Sequence, residues 1–345
     1  MSTARDTRAV LRQQRGVGLV EVLISVAIGT FLIAGALTIF SDSSKTYNVH
    51  EASSRLEENG RYVFSILEPD VRMASYWGYT KGAVGVGNAV AQTGTAATAL
   101  AGAAATSCGN NYSVDLLTTL EGSNDSYTLG CAAYNAKPMP SADTLTVRRA
   151  SFVQSAVTAA TVGPLRICST RLSALLTPVA SACAAAPNGT VSDLIVHAYY
   201  VDQDSTTQAG LPTLWRKSLN TVGTTPTFQD EEILPGVEDL QVQFGIDPSG
   251  TSGVATQYIN PLKAANLPAT TQIVAVRIWV LLRADVPEPG FADSRIYQYG
   301  NRSTATGTVN SLLGTATAGK AYQPNDTFRR LLLSRTIMIR NSLGT

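Results

Sequence analysis

One apolar segment near the N-terminus constrains the fold of this chain more than any other feature. The residues from Val17 to Phe40 contain a single charged side chain, Glu21. As a helix that rises about 1.5 Å per residue, the segment is about 36 Å long, enough to cross a bilayer core of about 30 Å. A carboxylate at the centre of a bilayer costs at least about 2.5 kcal/mol. Glu21 is therefore a candidate functional residue that needs a partner.

The residues before the apolar segment are basic, with Asp6 as the one acidic residue among them. The basic residues are Arg5, Arg8, Arg12 and Arg15. This excess of positive charge predicts a cytoplasmic N-terminus, with the bulk of the chain on the far side of the membrane. Two interpretations of the segment leave Glu21 unexplained: a plain signal anchor, and a secretory signal peptide cut after the small residues 34–36.

A third interpretation explains Gly16 and Glu21 together. The stretch RGVGLVEVLISVAIGTFLIAG (15–35) resembles the class III signal of type IV prepilins and pseudopilins. In that family a short basic leader ends in Gly, and Glu is the fifth residue after the cut. Here the cut would fall between Gly16 and Val17, which makes Glu21 the fifth residue. The family usually has Phe as the first mature residue, and this chain departs from that pattern with Val17.

The resemblance implies a role for each of these residues. A prepilin peptidase would remove the leader 1–16 and methylate the new amine of Val17. A buried carboxylate is tolerable when it is paired with a cation. Glu21 would pair with the Val17 amine of a neighbouring subunit and set the axial register, since a slip of one turn leaves both charges unpaired.

The pattern after Phe40 predicts that the helix continues. Apolar residues recur at spacings of three and four. They are Leu56, Val63, Ile66, Leu67, Val71 and Ala74. We predict one helix over 17–76, with an apolar transmembrane half and an amphipathic half, and we expect Pro69 to kink or interrupt its last turns.

The rest of the chain, 77–345, predicts a β-rich head. Alternation over 193–201 and 213–219, on either side of a turn-rich stretch, predicts a hairpin. In the strand at 273–284, the alternate residues from Val274 to Val280 should face the core. We expect 329–341 to form a last strand in a central position. The Ala/Gly/Thr-rich stretch 83–109 predicts a long irregular surface loop.

Four segments resemble PilW-type minor pilins: LEENGRYVFSILEPDVRMASYWG (56–78), ILPGVEDLQVQFGID (233–247), IVAVRIWVLLRA (273–284) and RRLLLSRTIMIRN (329–341). The resemblance implies an α+β, pilin-like fold in which a long N-terminal helix packs on an antiparallel β-sheet head. It implies a structural minor pilin that joins a priming complex at the filament tip and promotes type IV pilus assembly, adhesion, twitching motility and DNA uptake.

The same resemblance implies the partners and the location. The partners would be other minor pilins, the major pilin, a tip adhesin, the prepilin peptidase and the inner-membrane assembly platform. The precursor would cross the inner membrane once, with a periplasmic head, and then move to the pilus tip. Two alternatives stay open: a minor pseudopilin of a type II secretion system, and a membrane-anchored periplasmic binding domain that never polymerises.

The four cysteines predict disulfides if the head lies outside the cytoplasm. They are Cys108, Cys131, Cys168 and Cys183. No pair has the CxxC spacing of a zinc or redox site, so no metal site is expected. Of the three possible pairings, the sequential one is favoured because each bond would close a short loop.

The remaining side chains do not favour an enzyme, a cofactor or a nucleic-acid partner. The net charge is +1, and no basic stripe occurs outside the first residues. No GxSxG elbow or phosphate-binding glycine loop is present. His197 lies in an alternating strand and is expected to be a packed or surface residue.

Two acidic groups in the head are candidate sites. Asp202, Asp204 and Ser205 form only a fragment of a calcium loop, so a solvated hairpin loop is favoured. Glu238 and Asp239 should face opposite ways in a strand. We expect them to be strand-edge charges or to form a salt bridge to Arg277 or Arg283.

Overall fold

A computed structural model describes residues 16–92, 94–95, 100, 108–154, 162–179, 183, 189–222, 225–263, 266–268, 270–314 and 317–341. The basic leader up to residue 15 and much of the stretch 93–107 lie outside the described residues. The chain divides into two compact units, Met1–Ala52 and Ser53–Thr345. One helix, α1 (Leu19–Arg72), begins in the first unit and continues into the second. It contains all the helical residues that the structure describes in the first unit.

In the second unit, one stripe of α1 is buried. Its apolar members are Leu56, Val63, Phe64, Leu67 and Val71, which follow the predicted three- and four-residue spacing. Gly60 lies on the same stripe, where a Cβ atom would come within 2.0 Å of the Leu333 side chain. The helix therefore packs most closely against the sheet at this glycine.

The helix ends at Arg72, three residues after Pro69 and earlier than the predicted end at residue 76. Pro69 lies in the last turn, and its carbonyl accepts a hydrogen bond from the Met73 N–H at 3.1 Å. Ser75 has a left-handed backbone conformation (φ 65°), which cannot continue a right-handed helix. Its N–H donates to the Arg148 carbonyl at 3.3 Å, so the chain passes directly from the helix to the sheet.

The larger sheet has eight strands in the part of the chain that the structure describes. They are β1 (Val86–Gly87), β2 (Leu120–Ser123), β3 (Thr144–Gln154), β4 (Val162–Ser169), β5 (Ala174–Val179), β6 (Thr190–Asp202), β7 (Thr213–Val222) and β8 (Thr225–Pro235). The order is β1-β5-β4-β6-β3-β2, and β7 joins β6 to β8. The long strand β6 pairs along one edge with β3 and along the other with β4 and then β7. The β6–β7 pair is the predicted hairpin.

The second sheet is antiparallel, in the order β10-β9-β11-β14 among the described strands. Its members are β9 (Val237–Asp247), β10 (Gln257–Ile259), β11 (Gln272–Arg283) and β14 (Arg330–Met338). Two short parallel strands, β12 (Ser303–Val309) and β13 (Lys320–Tyr322), lie between β11 and β14 in the chain. The expectation of a central last strand is wrong, because among the described strands β14 pairs only with β11 and forms the edge of its sheet.

One hydrophobic core joins α1 to both sheets. Phe64 and Leu67 of the helix belong to the same buried cluster as Leu145 of β3 and Phe244 of β9. The predicted inward face of β11 is buried, from Val274 (1% exposed) to Val280 (0% exposed). The predicted α+β fold, a long N-terminal helix packed on an antiparallel sheet, is confirmed.

The described part of the stretch 83–109 matches the expected irregular loop only in part: residues 88–92 and 94–95 form no helix or strand, but other residues are structured or buried. Residues Ala83–Gly85 form a short 3₁₀ turn, and β1 then pairs in parallel with β5. Ala83, Val86 and Leu100 are buried in a second apolar cluster. These buried residues pack this part of the stretch against the edge of the larger sheet.

Candidate functional site

The predicted processing residues lie where α1 begins. Gly16, Val17 and Gly18 precede the first helical residue, Leu19, so Glu21 lies in the first turn. The Glu21 N–H donates to the Gly18 carbonyl at 2.9 Å, and the Ser25 hydroxyl donates to the Glu21 carbonyl at 2.7 Å. A carboxylate in the first helical turn interacts favourably with the unpaired N–H groups there. Glu21 is therefore compatible with the helix start even though it interrupts an apolar segment.

The apolar segment is exposed all round in the single chain. Leu19 is 77% exposed, Phe31 80% and Phe40 73%. By length and composition, α1 can cross a membrane, and none of its most apolar window is buried. A continuous apolar surface of this size is not stable in water and indicates contact with lipid or with other protein. Glu21 and, after a cut before Val17, the new ammonium group are the charges that such contact would have to accommodate.

In the head, a buried carboxylate holds the end of α1 to the larger sheet. Asp70 is 4% exposed. The Arg149 guanidinium on β3 donates to its Oδ1 at 2.6 and 3.1 Å. His197 and Tyr199 on β6 bond to its other oxygen. Three strand residues therefore meet one helix residue, which fixes the last turns of α1 on the sheet.

The charge state of Asp70 depends on these partners. Burial by itself raises the pKa of the Asp70 carboxyl, but the hydrogen bond from His197 and the charges of His197 and Arg149 outweigh it. The net pKa is held well below its usual range. The carboxylate is therefore ionised at neutral pH, as a partner of the buried Arg149 must be.

The acidic pair of the PilW-like strand is also buried, in two separate ion pairs. Arg330 donates to Glu238 at 2.5 and 3.0 Å, from β14 across β11 to β9. Arg302 donates to Asp239 at 2.6 Å, and the Tyr299 hydroxyl donates to the same carboxylate at 2.7 Å. The expectation of strand-edge charges is wrong for both residues.

Of the two partners expected for this acidic pair, the structure supports one. Arg283 lies 3.8 Å from Glu238, whereas no ion pair forms between Arg277 and either acid among the described residues. The closer ion-pair partners of Asp239 and Glu238 are Arg302 and Arg330. The sequence did not predict them. Arg302 ties β9 to the segment between β11 and β14, and Arg330 ties β14 to β9.

The other candidate residues, His197, Asp202 and Asp204, make contacts that stabilise the local structure. His197 is packed against Asp70 as described, in line with the expectation of a packed residue. In the turn that carries Asp202 and Asp204, Lys137 donates to the Asp204 carboxylate at 2.9 Å, and the Gly210 N–H donates to it at 2.8 Å. The carboxylate that would have to bind calcium is thus engaged by donors.

The structure joins Cys108 to Cys131 and Cys168 to Cys183. This is the sequential pairing favoured from the sequence. It stays a prediction for the mature protein, to be tested by thiol chemistry.

Sequence reasoning missed Asp70 as an anchor, although one signal was present. Residues 63, 67, 70 and 74 share the buried stripe of the helix, so the periodicity places an acidic residue at an apolar position. A charge on a buried stripe calls for a partner of opposite charge. No such signal marked Arg149, because it lies in an alternating strand beside Arg148, and both are buried.

Two ends of the chain match protein-family models. Residues 11–37 match the prokaryotic N-terminal methylation motif, the segment that contains Gly16, Val17 and Glu21. This match and the exposed apolar helix define a type IV pilin-like protein. Residues 198–341 match the family described as type IV pilus-assembly protein W. The chain is similar to this family over these residues, and the predicted resemblance to PilW-type minor pilins is confirmed.

No curated protein matches the chain. A type IV-like pilin from Thermus thermophilus is similar over 59% of this chain and 80% of that chain, with 16% sequence identity and a TM-score of 0.27.

Proposed function

We propose that this protein is a minor pilin subunit that is processed at its N-terminus and promotes assembly of a type IV pilus. The precursor crosses the inner membrane once, with its N-terminus in the cytoplasm and its head in the periplasm. A prepilin peptidase removes residues 1–16 and methylates the amine of Val17. The segment from residue 17 to the end of α1 is then the assembly helix, and 77–345 is the head.

One observation carries this proposal: the exposed apolar start of α1 contains a single charge, Glu21, five residues after Gly16. An anchor that stays in lipid gains nothing from that charge, which costs at least about 2.5 kcal/mol at the membrane centre. A subunit that leaves lipid for a filament gains an ion pair, because Glu21 meets the Val17 amine of its neighbour. The PilW-type head supports a pilus over the alternative of a type II secretion system.

We further propose where the subunit acts. It joins other minor pilins in a complex that primes assembly of the major pilin, is carried to the tip together with an adhesin, and contacts the inner-membrane platform. Adhesion, twitching motility and DNA uptake would then depend on it through the filament, without any catalytic step of its own.

The experiment compares the Glu21→Ala variant with the Glu58→Ala variant in cells. Glu58 is a matched control, because it is an exposed glutamate of the same helix in the head unit. Surface filaments are sheared off and counted, and the precursor and mature forms are separated by mass. We expect Glu21→Ala to be cleaved normally and to lose at least about tenfold in incorporation, while Glu58→Ala behaves like the wild type.

Two results would reject parts of the proposal. Equal incorporation of both variants would mean that Glu21 has no role in assembly and that α1 is a plain anchor. Loss of a secretion-system substrate from the medium, with normal pili, would move the protein to the pseudopilins of type II secretion.

A further inference from the structure

The outer face of the second sheet carries an arginine whose charge is not neutralised. The side chains of β11 alternate, so Arg277 and Trp279 lie on the face opposite to the buried residues Val276, Ile278 and Val280. In the described residues, the other arginines of this sheet all pair with carboxylates: Arg283 and Arg330 with Glu238, and Arg335 with Glu68. Arg277 has no such partner there.

The guanidinium of Arg277 is held in place by aromatic rings. It lies 3.9 Å from the ring centroid of Tyr258 and 5.8 Å from that of Trp279. Its Nε donates to the Thr336 hydroxyl at 3.3 Å. The terminal nitrogens make no hydrogen bond to the described residues, although an arginine offers five N–H donors. Stacked in this way, the group keeps the planar edge that binds a carboxylate through two parallel hydrogen bonds.

A glycine makes room for this arrangement. Gly245 on β9 lies beneath the Tyr258 ring, where a Cβ atom would come within 3.0 Å of the ring and 3.1 Å of Ala275. The ring therefore lies close to the sheet and supports the guanidinium from one side. Removal of this support would leave a flexible arginine, which loses more side-chain entropy when it binds.

The surroundings of Arg277 have the composition of a protein interface. Tyr258, Trp279 and Arg277 are all half-buried, and the exposed apolar residues Val254 (61%) and Met338 (53%) lie in the loop before β10 and on β14. Tyrosine, tryptophan, arginine and methionine are enriched in interfaces, and the first three dominate their binding energy. The face is open rather than a closed pocket, so it fits a macromolecule better than a small ligand.

The positive charge of Arg277 determines which kind of partner this face can bind. An unpaired arginine at the centre of an interface requires an acidic group opposite it, because burial without one is costly. A second copy of this chain placed symmetrically would bring two Arg277 groups together, which is repulsive. We infer that the face formed by Tyr258, Arg277, Trp279, Thr336 and Met338 binds a different pilin-like protein through an Asp or Glu carboxylate on that protein. The inference rests on the proposed function in naming a pilin as the partner.

The experiment uses the full-length protein in its native membranes. A photo-crosslinking amino acid replaces Met338, and a second strain carries it at Leu172, a 95% exposed residue in the turn between β4 and β5. After irradiation, the crosslinked product is purified and sequenced. We expect a product at position 338 with a second protein that has an N-terminal methylation motif, and none of that product at position 172.

Charge reversal then tests the role of Arg277. Arg277→Glu should lower the crosslink yield at position 338 by roughly tenfold or more, as expected for a central interface residue. Arg171→Glu is the matched control, a charge reversal at an exposed arginine outside this face, and should leave the yield unchanged. Reversal of the crosslinked partner's acidic residue to Arg should restore the yield in the Arg277→Glu strain.

Several results would overturn the inference. These are no product at position 338, a product formed by two copies of this chain, or an undiminished yield with Arg277→Glu. If the wild type is still cleaved and enters sheared pili in such a case, the inference fails while the proposed function stands. If cleavage and incorporation are also absent, the proposed function itself fails.

Discussion

The Asp70→Asn substitution offers a sharp test of how the head holds its helix. The change keeps the shape of the side chain but removes its charge. The Arg149 and Asp70 side chains are only 10% and 6% exposed, so the substitution leaves a buried guanidinium without a counter-charge. Breaking a buried ion pair on one side costs about 3–5 kcal/mol. We expect the free energy of unfolding of the head to fall by that amount.

The assay is guanidinium unfolding of the full-length protein in detergent micelles, followed by tryptophan fluorescence. Trp77 and Trp215 are 1% and 2% exposed, so their emission reports loss of the folded head. The matched control is Glu68→Gln, one residue before Pro69. The Glu68 side chain is 24% exposed and pairs with Arg335 at 2.7 Å and with Arg72, and pairs this open contribute at most about 1 kcal/mol each.

A double variant separates the charge effect from general damage. In Asp70→Asn with Arg149→Met, neither buried charge is left alone. We expect it to be more stable than the sum of the single variants predicts, by about 2 kcal/mol, since contacting residues couple by up to about 3 kcal/mol. The reasoning is refuted if Asp70→Asn costs no more than Glu68→Gln, or if the double variant is simply additive.

Acid unfolding gives an independent check on the same cluster. Because the pKa of Asp70 is lowered in the folded state, its stabilisation is fully present above the unfolded pKa of about 4 and is lost as the pH falls through the lower folded value. Between pH 4 and pH 2 the wild type should therefore lose stability more steeply than Asp70→Asn. Parallel curves over this range would contradict the assigned charge state.

Two further predictions concern other buried groups. Burial raises the pKa of Asp202 to about 6, and its Oδ2 is buried with no hydrogen-bond partner among the residues that the structure describes. Stability from this residue is thus present below about pH 4 and lost as the pH rises through about 6. Asp202→Asn should stabilise the head by about 1–2 kcal/mol at pH 8 and have no effect at pH 4, and equal effects in chemical denaturation at both pH values would contradict this. The mature protein, denatured without reductant, should show no reactive thiol, and proteolysis should release peptides that link Cys108 to Cys131 and Cys168 to Cys183. A free thiol or a crossed pairing would contradict the assigned bonds.

Local patterns predicted the elements whose partners are close in the sequence. The β6–β7 hairpin was found because two alternating stretches flank a turn-rich connection. The inward face of β11 was found because one set of alternate residues is entirely aliphatic, from Val274 to Val280. Both patterns occur within a few consecutive residues. A strand that is buried on one face shows this alternation of apolar and polar residues.

The positions that depend on distant partners were not predicted. The edge position of β14 follows from which strands pair, and nothing within residues 329–341 specifies it. The ion pairs join residues that are far apart in sequence, 79 positions for Asp70 and Arg149 and 92 for Glu238 and Arg330. A charged residue that is buried with a distant partner has the same local signature as one in solvent. Gly16, Val17 and Glu21, the residues proposed for processing and assembly, are the opposite case, because their spacing along the chain was enough to predict them.

The N-terminal residue and intact mass of the protein from its native membrane decide whether it is processed as a prepilin. We expect a chain that begins at Val17 and carries one methyl group on its amine. A chain that begins at Leu37 would mean secretory cleavage and a free head, and an uncut chain that still carries Arg15 would mean a plain anchor. Either result would leave Glu21 without a role and would contradict the account.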